Sequence, residues 1–145
     1  MTIKHQSVYL EDTEDHLECG KFSYGTPDSV HWLKISAGNG LWRFQNVGTK
    51  KFLDDSDSKI YTSLHSHSHH TEWSIEKVGF SEFTLKNAAT GRFLAFGKNS
   101  NIFSDILSKI GITEEKTEVF GCNNREEGIT DWKIVHHLPD SETLW

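Results

Sequence analysis

Four histidines stand close together in the segment Leu64-His-Ser-His-Ser-His-His70. In an extended chain, His65, His67 and His69 would project from one face at intervals of about 6.6 to 6.8 Å. Imidazoles that far apart share a metal ion only if the backbone curls, and no carboxylate or cysteine stands beside them at zinc spacing. Histidine changes its charge between pH 5 and 8. A pH-sensitive surface and a solvated hairpin tip both stay open, and we predict no metal site.

An acidic run, Asp54-Asp-Ser-Asp57, comes shortly before the histidines. An EF-hand calcium loop needs glycine at its sixth position and glutamate at its twelfth, and this run has neither. A charged turn is therefore the interpretation that the run itself favours. Protonated histidines nearby would add positive charge beside these aspartates.

The sequence contains no recognisable catalytic signature. It has no Gly-x-Ser-x-Gly elbow, no cysteine and histidine with a local signature, no phosphate-cradling loop and no His-Glu-x-x-His. The paired glutamates Glu114/Glu115 and Glu126/Glu127 lie in polar stretches, where a solvated face is the expected role. We therefore predict that the protein is not an enzyme and needs no cofactor.

Composition limits the class of partner. The chain has 145 residues, a formal net charge of -6 and no cluster of lysine and arginine. A nucleic-acid partner is excluded because phosphate neutralisation needs a clustered basic surface. The length suits one domain with a core of its own. An aromatic content of 12% favours short strands with large inward side chains.

The chain offers no apolar stretch of signal-peptide length and nothing near the roughly 18 apolar residues of a membrane span. We expect a cytoplasmic protein, with secretion without a visible signal as the alternative. Cys19 and Cys122 are too few for a disulfide framework and are interpreted as two reduced thiols.

An internal repeat predicts the elements that position these residues. The segments Trp42–Leu53 and Phe83–Leu94 align at an offset of 41 residues, and the same offset carries Trp32 onto Trp73, with a third copy at Trp132. Repeats of this period are units that bury their apolar faces only against one another. The residues in register are Asn46/Asn87, Thr49/Thr90, Phe52/Phe93 and Leu53/Leu94.

Each unit reads as strands joined by turns. Apolar residues alternate with polar ones, an Asn/Gly turn follows, a Phe-Leu strand comes next, and a Trp-x-Ile strand closes the unit. This pattern predicts twelve strands in three units, about 2–38, 39–79 and 80–137, with a tail at 138–145. Helical spacing over 102–110 predicts a short helix in an insertion of the third unit.

Three units of this kind resemble a β-trefoil of the group that contains ricin-B-type lectins, MIR domains, fascins and histidine-rich actin-binding trefoils. The resemblance covers residues 2 to 137 and implies an all-β fold, with 1–145 as a single β-trefoil domain. Ricin-B lectins carry glutamine two residues before the tryptophan, whereas this chain has Val30, Thr71 and Thr130. The resemblance transfers no catalytic residue.

Sugar pockets of lectin trefoils pair an Asp or Asn after the Phe-Leu strand with an aromatic platform. The carboxylate accepts hydrogen bonds from vicinal hydroxyls while the ring stacks on the apolar sugar face. By resemblance, Asp54 with Tyr61 forms one candidate pocket, and Asn99 with Phe96 or Asn123 forms another. The other candidate ligand-binding residues are Asp55 in the acidic run and His65 and His67 in the histidine hairpin.

Two functions follow from the resemblance. The first is a non-enzymatic lectin-like module whose partner is a glycan or glycoprotein. The alternative is an intracellular protein that binds actin or another protein through a pH-sensitive histidine-rich hairpin.

Overall fold

The structure, a computed structural model, describes residues 1–13, 15–22, 25–56, 59–64, 68–97, 116–124 and 128–135. It is all-β, with 6% helical structure, and twelve strands lie in the described residues. Two one-turn 3₁₀ segments, Asp28–Val30 and His69–Thr71, complete the described elements. The strands are β1 Thr2–His5, β2 Val8–Asp12, β3 Leu17–Gly20, β4 Trp32–Gly38, β5 Leu41–Asn46, β6 Phe52–Ser56, β7 Lys59–Ser63, β8 Trp73–Lys77, β9 Phe83–Asn87, β10 Phe93–Phe96, β11 Lys116–Cys122 and β12 Lys133–Val135.

Six strands close into a barrel, two from each unit. Antiparallel pairing joins β1 to β12, β4 to β5 and β8 to β9. Single bridges between these pairs complete the ring, so the barrel has no open edge. The bridging residues are Thr2 with His31, Trp42 with Trp73, and Phe83 with Trp132.

The other six strands form three hairpins, β2–β3, β6–β7 and β10–β11. Their second strands lie together, since β3 pairs with β11 and β7 contacts both. A barrel of six strands with three such hairpins is the β-trefoil that the resemblance implied.

Three tryptophans tie the barrel to the hairpins and are fully buried. Each indole Nε1 donates to a leucine carbonyl in the hairpin of its own unit, which satisfies the polar group of a buried ring. The prediction that these residues are equivalent core anchors is confirmed. The bonds are Trp32 to Leu10 at 3.2 Å, Trp73 to Leu53 at 3.0 Å and Trp132 to Leu94 at 3.0 Å.

The repeated Asn-x-x-Thr turn joins one unit to the next. Asn46 Oδ1 accepts from the backbone amides of Gly48 and Thr49, and its Nδ2 donates to the Ser29 carbonyl of the first unit at 2.8 Å. Thr49 Oγ1 donates to the Asp12 carboxylate, also in the first unit. We call this set of contacts the inter-unit clasp.

The second clasp repeats the first. Asn87 Nδ2 donates to the His70 carbonyl at 2.8 Å, and Thr90 Oγ1 donates to Asp55 at 2.6 Å. Arg92 adds an ion pair to the same carboxylate, with its Nε 3.1 Å from Oδ2. The motif detected as a turn signal is thus also the contact between units.

The third junction, from unit three to unit one, keeps one hydrogen bond, from His5 Nδ1 to the Asp131 carbonyl at 2.9 Å, and adds ring contacts. His5 stands at the position of Asn46, and Phe96 stands two residues after Leu94, where the other units have a buried aspartate. The His5 and Phe96 rings meet edge to face with centroids 5.5 Å apart, and Phe96 also contacts Trp132 at 5.1 Å.

Some sequence predictions lie outside the described residues, namely the helix over 102–110 and the tail at 138–145. Cys19 and Cys122 are both buried and are not joined in a disulfide, as expected. None of the helical segments among the described residues has the length and apolar character needed to cross a membrane.

Candidate functional site

The three hairpins present equivalent positions with different chemistry. The residue after the core leucine faces its partner directly across the hairpin, and directly opposed side chains lie on the same face of a sheet. We call these two residues the hairpin pair of each unit. The pairs are Glu11 with Glu18, Asp54 with Tyr61, and Ala95 with Phe120.

The second-unit pair joins an acceptor to an aromatic ring. Asp54 is 4% exposed, and Tyr61 opposite it is half-buried. The Asp54 carboxylate accepts from Ser56 Oγ at 2.6 Å and from Ser63 Oγ at 2.8 Å. An ionised carboxylate has about four acceptor positions, so these two bonds orient the group and leave acceptor capacity for a ligand.

The 3₁₀ turn His69–Thr71 contacts β6, the strand that carries Asp54. Ser68 caps the turn, because its Oγ accepts from the His70 amide at 3.0 Å. The His70 ring donates through Nδ1 to the Asp55 carbonyl at 2.7 Å, and the His69 ring pairs with Glu72. Two of the clustered histidines therefore have protein partners.

Asp55 stabilises the fold, although the sequence placed it beside Asp54 among the candidate ligand-binding residues. Strand alternation places it on the face of Leu53, where it is fully buried and holds Thr90 and Arg92 in the second clasp. The alternation of the strand could have distinguished the two aspartates, because Leu53 faces the core and Asp55, two residues later, must lie on the same face.

The second pocket suggested by the sequence is only partly described. Phe96 is 5% exposed and packs in the core, so its ring face is taken by protein. Asn123 is exposed just after β11, while Asn99, like His65 and His67, lies outside the described residues.

The third-unit hairpin pair is apolar and covered. Ala95 and Phe120 lie under buried Gly128, where an added Cβ would be 2.6 Å from Phe120 Cζ and 3.2 Å from Ala95 Cβ. Only glycine fits this close approach, and no carboxylate stands at the pair.

The first-unit hairpin pair was missed by sequence reasoning. Glu11 and Glu18 are each 8% exposed. Ser29 Oγ donates to Glu11 Oε2 at 2.6 Å, and His16 Nε2 lies 2.9 Å from Glu18 Oε2. Alignment of Leu10 with Leu53 was the signal that could have found them, because Glu11 then falls at the Asp54 position.

Burial raises the pKa of the Cys19 thiol far above its ordinary value, and the neighbouring Glu18 carboxylate acts in the same direction. The thiol is therefore kept neutral and unreactive. Across the described ranges, no three His, Cys, Asp or Glu side chains converge in a way that could hold a metal ion.

Comparison with known proteins places this fold in a family. The sequence model of the ricin-type beta-trefoil lectin domain-like family matches residues 28–105, more than half of the chain, including the whole second-unit hairpin. None of the curated proteins matches the chain significantly in sequence.

Solved structures share the fold at low sequence identity. The designed three-fold symmetric protein ThreeFoil superposes with a TM-score of 0.69 at 14% identity, over 94% of this chain and 97% of that one. SeviL bound to asialo-GM1 saccharide gives 0.66 at 16% identity, over 92% and 94%. The Polyporus squamosus lectin bound to a human-type influenza-binding epitope gives 0.66 at 14%, over 91% of this chain and 46% of that one. Because its fold matches and the family model covers more than half of its length, this chain belongs to the ricin-type β-trefoil lectin domain-like family.

Proposed function

We propose that the protein is a non-enzymatic carbohydrate-binding module and that its glycan site is the second-unit hairpin pair. One observation carries the proposal: among the described hairpin pairs, this one sets a carboxylate directly opposite an aromatic ring. Membership of a lectin-like family supports a carbohydrate ligand. Asp54 would accept hydrogen bonds from vicinal hydroxyls, and Tyr61 would pack on the apolar face of the sugar.

The Asp54 carboxylate is preorganised for binding a sugar hydroxyl. Ser56 and Ser63 fix its orientation from the two strands of one hairpin, so little conformational freedom is lost when a ligand binds. A hydrogen bond to a charged group contributes about 1.5 to 3 kcal/mol. Replacement of Asp54 should therefore weaken binding by roughly ten- to a hundredfold.

Not every residue that the sequence suggested enters this proposal. Asp55 and Phe96 are left out because their side chains hold the fold together. Asn123 and Asn99 remain predicted for a further pocket. The alternative role in actin or other protein binding stays a prediction, since His65 and His67 lie outside the described residues.

A glycan array at neutral pH tests the proposal. The parent protein should bind a defined set of glycans, and titration calorimetry with the strongest of them should give a measurable Kd. Asp54→Asn should raise that Kd at least tenfold, and Tyr61→Ala should raise it as well.

The matched control is Glu76→Gln, which removes one exposed carboxylate from β8 of the same unit. Its Kd should equal that of the parent. No glycan above background, or an Asp54→Asn variant that binds as tightly as the parent, would show that this hairpin is not the site.

A further inference from the structure

The first-unit hairpin pair contains an unpartnered buried acceptor. Glu11 is 8% exposed, and its Oε1 atom is buried without a hydrogen-bond partner, while Oε2 accepts from Ser29. An unpaired buried polar group costs about 1 to 3 kcal/mol, and more when it is charged. Because buried polar atoms are normally hydrogen-bonded, we expect Oε1 to have a partner in the functional state of the protein.

Comparison with the second unit explains why this oxygen lacks a partner. There, Ser56 and Ser63 each donate to Asp54. The residue at the Ser63 position in the first unit is Gly20, which has no side chain to donate. The Ser56 position holds Thr13, whose hydroxyl donates instead to the His16 carbonyl at 3.0 Å.

A second carboxylate faces the first. Glu18 lies directly opposite Glu11 on β3, and like charges in that position destabilise a sheet. In the backbone register, Glu118 on β11 in turn lies opposite Glu18. His16 contacts the Glu18 carboxylate at 2.9 Å, but it is not among the hydrogen-bond partners of Glu11. The pair therefore combines negative charge with an open acceptor, which favours a cation.

The ligand groups present suit an ammonium better than a divalent metal. Calcium takes six to eight oxygen ligands, and no three metal-binding side chains converge in the described part of the chain. An ammonium has three N–H donors and no acceptor. Three acceptor groups lie at this hairpin, namely the Glu11 carboxylate, the Glu18 carboxylate on the opposite strand, and the Ser29 hydroxyl bonded to Glu11, which accepts as well as donates.

We infer that the first-unit hairpin pair binds a primary ammonium group, such as the free amine of an amino sugar. The sugar part of this inference rests on the proposed carbohydrate function, whereas recognition of the amine rests on Glu11, Glu18 and Ser29. The two sites then differ in selectivity: the second unit accepts neutral hydroxyls, and the first requires a positive charge.

Nuclear magnetic resonance titration tests this inference on the whole chain. Glucosamine carries the ammonium, and N-acetylglucosamine is its neutral counterpart. Glucosamine should shift the backbone amide signals of β2 and β3, while N-acetylglucosamine should leave them in place. Glu11→Gln keeps the size of the side chain but removes its charge, so it should weaken the glucosamine response at least tenfold.

Two further arms separate the possible ligands and sites. Ethanolamine presents the same amine without a sugar, and a Glu11-dependent response to it supports the site even if the protein binds no glycan. Asp54→Asn should retain the glucosamine response at β2 and β3, which separates this site from the second-unit pocket. Glu18→Gln should also lose the glucosamine response. This second variant keeps the inference testable if Glu11→Gln does not fold.

The inference is overturned if neither amine shifts these signals in the parent, or if Glu11→Gln and Glu18→Gln respond as the parent does. A shift caused by calcium chloride but by neither amine would also overturn it, because the site would then be one for a metal ion.

Discussion

Neighbouring residues in this protein divide between holding the fold and lining the proposed pocket. Asp54 and Asp55 are neighbours in sequence, but β6 turns them to opposite faces. Asp54 is held by serines of its own hairpin, whereas Asp55 holds Arg92 and Thr90 of the next unit. The same residue type therefore contributes to a proposed pocket at one position and to stability at the next.

Trp73→Ala should be strongly destabilising. The indole is fully buried and donates to the Leu53 carbonyl, so truncation leaves a cavity and an unpaired carbonyl. Such changes cost about 3 to 5 kcal/mol. For a domain of this size, the melting temperature should fall by roughly 10 °C. Differential scanning calorimetry measures it, with the 96% exposed Phe80 changed to Ala as a near-neutral control. Equal melting temperatures would contradict the burial of Trp73.

Cys19 should not react in the folded protein. Burial and the adjacent Glu18 raise its pKa, so the thiol stays protonated at pH 9, where an ordinary cysteine, with a pKa of about 8.5, is mostly thiolate. A colorimetric thiol reagent should label it only after denaturation in guanidinium. Labelling of native Cys19 at a rate that rises between pH 8 and 9 would contradict this assignment.

At the scale of elements, the hairpin pairs differ in all three units, whereas two of the three junctions share the same contacts. Two clasps use the same Asn, Thr and Asp at equivalent places, and the third replaces them with the His5 and Phe96 rings. The hairpin pair consists of two carboxylates in the first unit, a carboxylate and an aromatic ring in the second, and two apolar residues in the third. Positions at the junctions are fixed by contacts on both sides, whereas the hairpin faces are free to specialise.

The second clasp should contribute more stability than one hydrogen bond. Asp55→Ala leaves the Arg92 guanidinium, whose side chain is 17% exposed, without its carboxylate. Removal of one partner of a buried ion pair costs about 3 to 5 kcal/mol. Thr90→Val removes only a hydroxyl and should cost about 1 kcal/mol. Urea unfolding compares the two variants, and equal losses would mean that the ion pair adds nothing.

For the whole molecule, the closed barrel and the clasps make each unit depend on the other two. The barrel takes two strands from each unit, and one core cluster contains buried residues of all three. Unfolding of one unit therefore exposes the faces of its neighbours.

Thermal unfolding should accordingly be a single transition. Far-ultraviolet circular dichroism reports the strands, and tryptophan fluorescence reports the core around Trp32, Trp73 and Trp132. The two melting curves should coincide within error, as in a two-state domain. Separate midpoints for the two signals would show that the units unfold independently.

The sequence by itself determined the repeat, the three core tryptophans and the all-β fold. These follow from the spacing of apolar residues along the chain, because strand alternation and repeat period are local properties. The resemblance to lectin trefoils paired Asp54 with Tyr61, and the strand register sets the two residues directly opposite each other in one hairpin.

Only the tertiary structure decided which polar residues have protein partners. Thr49 meets Asp12, and Arg92 meets Asp55, across 37 residues of sequence in each case, and these contacts exist because whole units dock against one another. Docking also buried Phe96 against His5, and it left Glu11 with a free acceptor opposite Glu18. The alternation of residues along a strand sets the face on which a side chain lies. The residue that it contacts on that face belongs to another unit, far away along the chain.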